Sequence, residues 1–110
     1  MDISIDDIAN VNLAKVVIDI LKDFDYRNVT QKQLQNMRDV SKGTVGMVDP
    51  INRKIYVAKD LSYMDREITQ LHEFVHAYLL GVGVRNVDEE LVENVACYWR
   101  TRLYIDKNAK

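Results

Sequence analysis

The sequence predicts an α+β fold in which helices surround a small β-hairpin. Apolar residues recur at intervals of three and four over four separate stretches, as they do in amphipathic helices. Between these stretches lies one segment that is rich in β-branched residues and contains the single proline of the chain. The 110 residues fit one domain, 1–110, and 47% apolar with 29% charged residues is a globular composition.

We expect two helices before the hairpin. The first covers about 7–24, where the apolar residues keep helical spacing. The second begins after Thr30, whose hydroxyl can cap a helix, and continues to about Val40. Gly43 then breaks the pattern.

The hairpin is expected at 44–48 and 54–58. Both segments carry β-branched residues in loose alternation. The turn Asp49-Pro50-Ile51-Asn52 lies between them and has Pro50 at the second position, where proline favours a turn.

Two longer helices complete the predicted fold. Ser62 has the position of a helix cap, and the helix that follows it ends near Gly81. The last helix begins with Asp88 as its cap and continues to about Leu103.

Charge and cysteine content exclude several classes of protein. Fifteen basic and seventeen acidic side chains give a net charge of −2, which does not indicate a nucleic-acid or anionic membrane partner. Cys97 is the only cysteine, so a disulfide framework and a Cys-rich zinc finger are both excluded. The acidic N-terminus and the absence of a long apolar stretch lead us to expect a cytoplasmic protein that contacts no membrane.

Both histidines of the chain belong to one motif, His72-Glu73-x-x-His76, on the predicted helix after Ser62. Residues four apart lie on the same helix face, so both imidazoles can bind one metal ion. Glu73 projects about 100° farther round the helix, beside the ion. There it can accept a proton from a water that the metal activates and pass it to the leaving group. The motif therefore predicts a catalytic zinc site with Glu73 as the general base.

A catalytic zinc ion needs a third protein ligand, and with no histidine left a carboxylate of the last helix is the remaining choice. At 100° per residue, Glu89 flanks the apolar stripe of that helix, Glu93 lies farther round, and Glu90 faces nearly the opposite way. We predict Glu89 as the ligand, Glu93 as a histidine-orienting partner or alternative ligand, and Glu90 as a solvated charge. The competing interpretation is that all three are solvated charges at a helix start. The donor set favours Zn²⁺, although iron, manganese or cobalt also fit.

These residues resemble the gluzincin class of zinc metallopeptidases. Over 43–103 the chain is similar to the small ImmA/IrrE-type peptidases and to related short proteins of phages and mobile elements, in which the ligand begins a Glu-x-x-Ala-x-x-x-Ala helix. Glu89, Val92 and Ala96 stand in that register, with Val92 in place of the first alanine. The resemblance implies a minimal zincin-like domain and a cytoplasmic peptidase. It also implies that the substrate is a protein partner such as a repressor-type regulator.

The resemblance also implies a role for the hairpin. In zincins an edge strand pairs with the extended substrate, and strand 54–58 is the candidate for that strand. The alternative is that it only covers the helix of the motif. An oxyanion-stabilising side chain is expected near the metal. The candidates for it, among which the sequence does not choose, are Tyr26, Tyr63, Tyr98, Arg100 and Tyr104.

Three functional hypotheses follow. The first is a zinc-dependent metallopeptidase. The alternative is a zinc-bound but non-catalytic regulatory or interaction module, in which the metal contributes folding energy and the helices bind a partner. The third is a metal-free binding protein in which the motif occurs by chance. Glu73→Gln separates the first two, because hydrolysis needs this carboxylate and metal binding does not.

Overall fold

A computed structural model describes residues 5–37, 43–84 and 87–108 of the chain, which form five helices and a three-stranded sheet. The helices are α1 Ile5–Ala9, α2 Leu13–Asp23, α3 Gln31–Gln35, α4 Tyr63–Gly81 and α5 Glu89–Asn108. The strands are β1 Asp25–Val29, β2 Gly46–Asp49 and β3 Lys54–Ala58. The predicted α+β class is therefore confirmed.

The sheet has the strand order β1-β3-β2, with β1 parallel and β2 antiparallel to β3. The predicted hairpin is confirmed, although β2 covers 46–49 rather than 44–48. The expectation that strand 54–58 lies at an edge is wrong, because β1 pairs with the side of β3 that β2 leaves free. The edge strand of the hairpin is β2.

Strand β1 is not predicted by the sequence. Only Tyr26 and Val29 among its five residues are half-buried, and the other three side chains are exposed. The strand therefore lacks the run of apolar residues that identifies a buried strand. The strand forms by pairing with β3, and its own sequence pattern does not reveal this partner.

The prediction of one helix over 7–24 is wrong in one respect, because the structure divides this segment into α1 and α2. Asn12 caps α2, because its side chain accepts a hydrogen bond of 3.2 Å from the backbone N–H of Lys15. An asparagine at this position favours the start of a new helix over the continuation of the previous one.

Helix α5 binds the backbone carbonyl groups at this break. The indole N–H of Trp99 donates to the carbonyl oxygen of Ile8 at 3.1 Å. The guanidinium of Arg102 donates to those of Ala9 and Val11 at 2.8 and 2.7 Å. These tertiary hydrogen bonds take the place of bonds that a continuous helix would have made.

The predicted start of the second helix is confirmed. Thr30 and Gln33 form a capping box, in which each side chain bonds the backbone N–H of the other residue. Helix α3 ends at Gln35, before the predicted end near Val40. Residues 38–40 of that prediction lie outside the described residues.

Both long helices begin where the sequence predicts. The Ser62 hydroxyl accepts a hydrogen bond from the backbone N–H of Asp65, and the Asp88 carboxylate accepts one from that of Glu90. After α4, Gly83 has a φ of 89°, a left-handed conformation that glycine adopts without strain and that ends the helix.

Helix α4 packs against the sheet, α2 and α5, and the core forms around it. The largest fully buried side chains are Trp99, Ile8, Leu34, Ile55, Leu79, Val57, Val75, Val92 and Val95. Within the described part of the chain, no helix combines the length and the apolarity that crossing a membrane requires.

Candidate metal centre

The motif histidines lie on α4, and the carboxylates that face them lie on α5. His76 contacts Glu89, whereas His72, one turn earlier, also contacts Glu93, one turn later. The earlier histidine of α4 thus reaches the later glutamate of α5, which means that the two helices run antiparallel. Because the residues of each pair are four positions apart, this packing brings all four side chains into one cluster.

The Glu89 carboxylate bridges the two histidines. Its Oε2 lies 2.9 Å from Nε2 of His72, and its Oε1 lies 3.0 Å from Nε2 of His76. Desolvation by itself raises the pKa of Glu89, but the charge of His76, and hydrogen bonds from His76 and His72, lower it overall. The carboxylate therefore stays ionised between the two imidazoles.

Glu93 contacts the other nitrogen of His72, with 2.7 Å between Oε2 and Nδ1. A carboxylate thus faces each ring nitrogen of His72. Which ring nitrogen donates depends on the tautomer. In the tautomer that donates from Nδ1 to Glu93, the lone pair of Nε2 is available to bind a metal ion.

The donor set fits a divalent metal ion. Ligand atoms of His72, His76 and Glu89 all lie within 4.8 Å of one another. Two nitrogens and one carboxylate are a ligand set of catalytic zinc, in which the bonds of about 2.0–2.1 Å place neighbouring ligand atoms about 3.3 Å apart. The observed nitrogen–oxygen distances of 2.9 and 3.0 Å join different oxygens of Glu89 and are also ordinary hydrogen-bond lengths, so the fit rests on the donor set.

Glu73 lies beside this cluster but is not one of the three converging groups. Its side chain is buried, with 6% of the residue exposed. Burial raises the pKa of Glu73 to about 7; His72 opposes the rise, and the charges of Glu89 and Glu93 add to it. A carboxylate with this pKa can accept and release a proton near neutral pH.

Gly46 of β2 allows the edge strand to approach Glu73. A Cβ atom at Gly46 would lie 2.7 Å from Cγ2 of Thr69 and 2.9 Å from Oε2 of Glu73. Both distances are too short for real contacts, so only glycine permits this approach. Gly46 was not predicted as a site residue; the one signal for it was an isolated glycine inside the predicted strand 44–48.

A cleft runs on both sides of the histidines. One half has a volume of about 390 Å³ and the other about 610 Å³, and both are lined by Gly46, His72 and Glu73. The first half extends past His76, and the second past Glu93. None of the five predicted oxyanion candidates is among the described residues that line either half, so the cleft gives them no such role.

At alternate residues of β2, the backbone N–H and C=O groups point away from β3. The carbonyl oxygen of Val45 accepts a hydrogen bond from the N–H of Ala58 at 2.8 Å. Because backbone groups alternate in direction along an antiparallel strand, those of Gly46 and Val48 point away from β3. Both residues also line the first half of the cleft.

The structure brings together all five residues that were predicted for the site and leaves Glu90 exposed outside the cluster. No family model, curated protein or solved structure matches the chain.

Proposed function

We propose that this chain is a zinc-dependent metallopeptidase, a minimal zincin-like enzyme that hydrolyses peptide bonds of a protein partner. The observation that carries the proposal is the convergence of His72, His76 and Glu89, with the buried carboxylate of Glu73 beside them. In the proposal, the three converging residues hold the metal. A zinc ion bound there would polarise the scissile carbonyl group and make water more acidic.

Glu73 is the proposed general base. Its raised pKa, about 7, supports proton transfer near neutral pH in both directions. It would accept a proton from the attacking water and deliver this proton to the leaving nitrogen. The close approach of Gly46 limits where the carboxylate can move, which favours one position for the transfer.

Glu93 is proposed to orient His72. By accepting the hydrogen from Nδ1, it would keep the Nε2 lone pair directed toward the position between His72 and Glu89. This supports Glu93 as an orienting residue in preference to the alternative in which it replaces Glu89 as a ligand.

Strand β2 is proposed to bind the substrate backbone. Among the described residues, the outward N–H and C=O groups of Gly46 and Val48 have no backbone partner, so they can pair with an extended peptide along the cleft. This role moves from strand 54–58 to β2, because β3 is covered on both sides. Following the family resemblance, the proposed partner is a repressor-type regulator or another protein.

The proposal is tested by peptide hydrolysis with the zinc-loaded chain and a Glu73→Gln variant. We expect the wild type to cleave peptides of a mixed library, and the variant to bind zinc equally but to lose at least about a hundredfold in rate. Glu90→Gln is the matched control, since Glu90 is exposed outside the cluster, and it should retain full activity.

Equal hydrolysis by the wild type and Glu73→Gln would contradict the proposed role of Glu73. A chain that binds zinc and cleaves nothing would support the alternative, a non-catalytic zinc-bound module.

A further inference from the structure

A groove lies on the face of α4 that is opposite to the candidate metal centre. Its volume is about 920 Å³, which is larger than either half of the cleft. At 100° per residue, Gln70 and Phe74 of its α4 wall lie about 160° round the helix from His72 and His76. The described residues that line the groove are all different from those that line the cleft. A molecule bound in the groove therefore leaves the cleft open.

Helix α2 presents an apolar stripe to this groove. Ala14, Val17 and Ile18 line it, and Leu21 continues the same stripe by one turn. Ile18 and Leu21 are 53% and 49% exposed, although the face of α2 around Ile20 is buried in the core. The helix thus has a second apolar face that the described part of the chain does not cover.

The other side of the groove adds to this apolar surface. Phe74 of α4 is buried and forms part of the floor, and the exposed side chain of Leu103 contributes from α5. Leu103 also lines a smaller adjoining cavity with Tyr63 and Tyr104, both of which are exposed. Single exposed apolar residues are ordinary, whereas a continuous patch across three helices indicates an interaction surface.

Two lysines border the outer side of the apolar stripe. Lys22 and Lys15 lie about 40° and 60° beyond Ile18 on α2. Asp19 lies farther round the helix, and within the described residues neither lysine forms an ion pair with it or with any other acid. Their charges are therefore available to a bound molecule.

The remaining charges of the groove do not offset these lysines. Glu67 is the only acidic residue among the described ones that line it, and its Oε1 lies 2.9 Å from Nε of Arg100. Arg102, which also lines the groove, adds a further positive charge. The groove thus has a basic border in a chain whose net charge is −2, and an acidic partner would complement it.

An amphipathic helix fits this surface better than an extended segment. A groove between helices offers no strand edge, so an extended segment would bury backbone groups without partners there. A helix bonds its own backbone and can pack its side chains between those of the apolar stripe.

Two other occupants fit less well. In a two-fold pair of chains whose α2 helices run antiparallel, the same flank of each stripe meets, so Lys15 of one chain would lie near Lys22 of the other. A flat bilayer would contact the two sides of the groove but would not fill it.

We propose that this groove docks an amphipathic helix of another protein, one that carries bulky apolar residues on one face and acidic residues beside them. The apolar face would cover the stripe of α2, and the carboxylates would lie beside Lys15 and Lys22. That the docked protein is also the substrate rests on the proposed peptidase function. The docking surface itself rests on the groove.

Designed helical peptides test the docking surface on the full chain. Three side-chain-stapled helices of about 18 residues, or five turns, are compared. One has a leucine stripe flanked by Glu, one has the same stripe flanked by Lys, and one has Ser in place of each Leu between the Glu flanks. By fluorescence anisotropy, we expect the Leu/Glu helix to bind at least about tenfold more tightly than either of the others.

A pair of isoleucine substitutions locates the apolar contact. Ile18→Gln should weaken binding of the Leu/Glu helix by at least about fivefold, because an apolar contact of the stripe is lost. Ile51→Gln is the matched control; Ile51 is exposed and lies outside the groove, so binding should not change.

Charge reversal locates the acidic flank. Lys15→Glu combined with Lys22→Glu should reverse the preference between the Glu-flanked and Lys-flanked helices. Lys32→Glu combined with Lys59→Glu changes the net charge equally at exposed positions outside the groove, and it should leave the preference unchanged.

Several results would overturn the proposal. No saturable binding of the Leu/Glu helix up to about 1 mM, or equal binding of the Glu-flanked and Lys-flanked helices, would do so. A dimer in light scattering that Ile18→Gln dissociates would assign the groove to a second copy. Binding to vesicles of equal parts phosphatidylcholine and phosphatidylglycerol that depends on Lys15 and Lys22 would assign it to a membrane.

Hydrolysis distinguishes this proposal from the peptidase function. Cleavable peptide segments are joined to the Leu/Glu helix and given to the zinc-loaded wild type and to Glu73→Gln. Binding of the helix without cleavage of any segment contradicts the peptidase but supports the docking surface. Cleavage by the wild type, with no preference among the three helices in binding, contradicts the docking surface alone.

Discussion

Two parts of helix α5 differ in chemistry. In its first turns Glu89 and Glu93 have side chains that are 68% and 47% exposed and face the histidines of α4. Farther along, Trp99 is fully buried and Arg102 bonds backbone carbonyl groups at the α1–α2 break. The first turns hold charges close together at the surface, and the part from Trp99 to Arg102 binds the helix to α1 and to the α1–α2 break.

This difference explains what residues 5–37 contribute. They contain no motif of their own, but α1 packs on α5 and supplies the carbonyl groups that Trp99 and Arg102 bind. Val92 and Val95 are buried beside the carboxylates, so both parts of the helix are held, and the part around Trp99 buries the larger side chain. We therefore expect the part around Trp99, the anchored end, to dominate stability and the part with the carboxylates, the site end, to dominate chemistry.

The largest effect is expected from breaking the anchored end. Trp99→Ala should lower the free energy of unfolding by about 3–5 kcal/mol, because a large buried side chain and its hydrogen bond to Ile8 are both lost. Urea denaturation of the metal-free chain measures this. Asn94→Ala, at an exposed position of the same helix, should change stability by less than about 1 kcal/mol, and equal losses in both variants would contradict the anchor.

At the site, removing the charge of Glu73 should instead make the chain more stable. The pKa of Glu73 rises from 4.5 to about 7 on folding, so its ionisation opposes the folded state once the pH exceeds 4.5. This penalty increases through pH 7 and is then constant. Glu73→Gln should therefore stabilise the metal-free chain by about 2–3 kcal/mol at pH 8 and by little at pH 4.

Thermal unfolding of the metal-free chain between pH 4 and pH 8 checks this difference. Glu90→Gln is the control and should show no such pH dependence, since Glu90 is exposed. A Glu73→Gln variant that is less stable than the wild type at pH 8 would contradict the claim that burial disfavours the ionised carboxylate of Glu73.

Gly46 provides a third comparison, between two glycines. Gly46→Ala should destabilise the chain by about 1–3 kcal/mol, because its Cβ would overlap Thr69 and Glu73. Gly81→Ala has open space around it and should be neutral or slightly stabilising. Thr69→Ser removes the atom closest to the new Cβ and should restore part of the loss. Equal effects at Gly46 and Gly81 in denaturation would refute the close contact.

The smallest effect concerns metal affinity. Glu93→Ala should weaken zinc binding by about tenfold to a hundredfold, because His72 loses the acceptor that orients it. Competition with a chromophoric chelator measures the dissociation constant, with Glu90→Ala as the control. A loss as complete as that in a His76→Ala variant would make Glu93 a ligand rather than an orienting residue.

Relations within a helix could be predicted from the sequence. The spacing of His72 and His76, and the direction of Glu89 relative to Glu90, follow from 100° per residue, and the caps at Ser62 and Asp88 are local chemistry. For this reason the starts of α4 and α5 agree with the prediction.

Relations between distant segments could not be predicted. The break at Asn12 depends on hydrogen bonds from α5, and β1 exists because β3 pairs with it. The same parallel pairing makes β3 central and β2 the edge strand. The contact between Gly46 and Glu73 is likewise tertiary, so no local pattern identified it.

Zinc content shows whether His72, His76 and Glu89 hold a metal ion. Elemental analysis would compare the wild type, purified without chelator or an immobilised-metal step, with His76→Ala, Glu89→Ala and the control Glu90→Ala. We predict about one zinc ion per chain in the wild type and in Glu90→Ala, and a loss of zinc from the other two variants. A wild type that takes up no added zinc, or a Glu89→Ala variant that keeps it, would contradict the three-residue site.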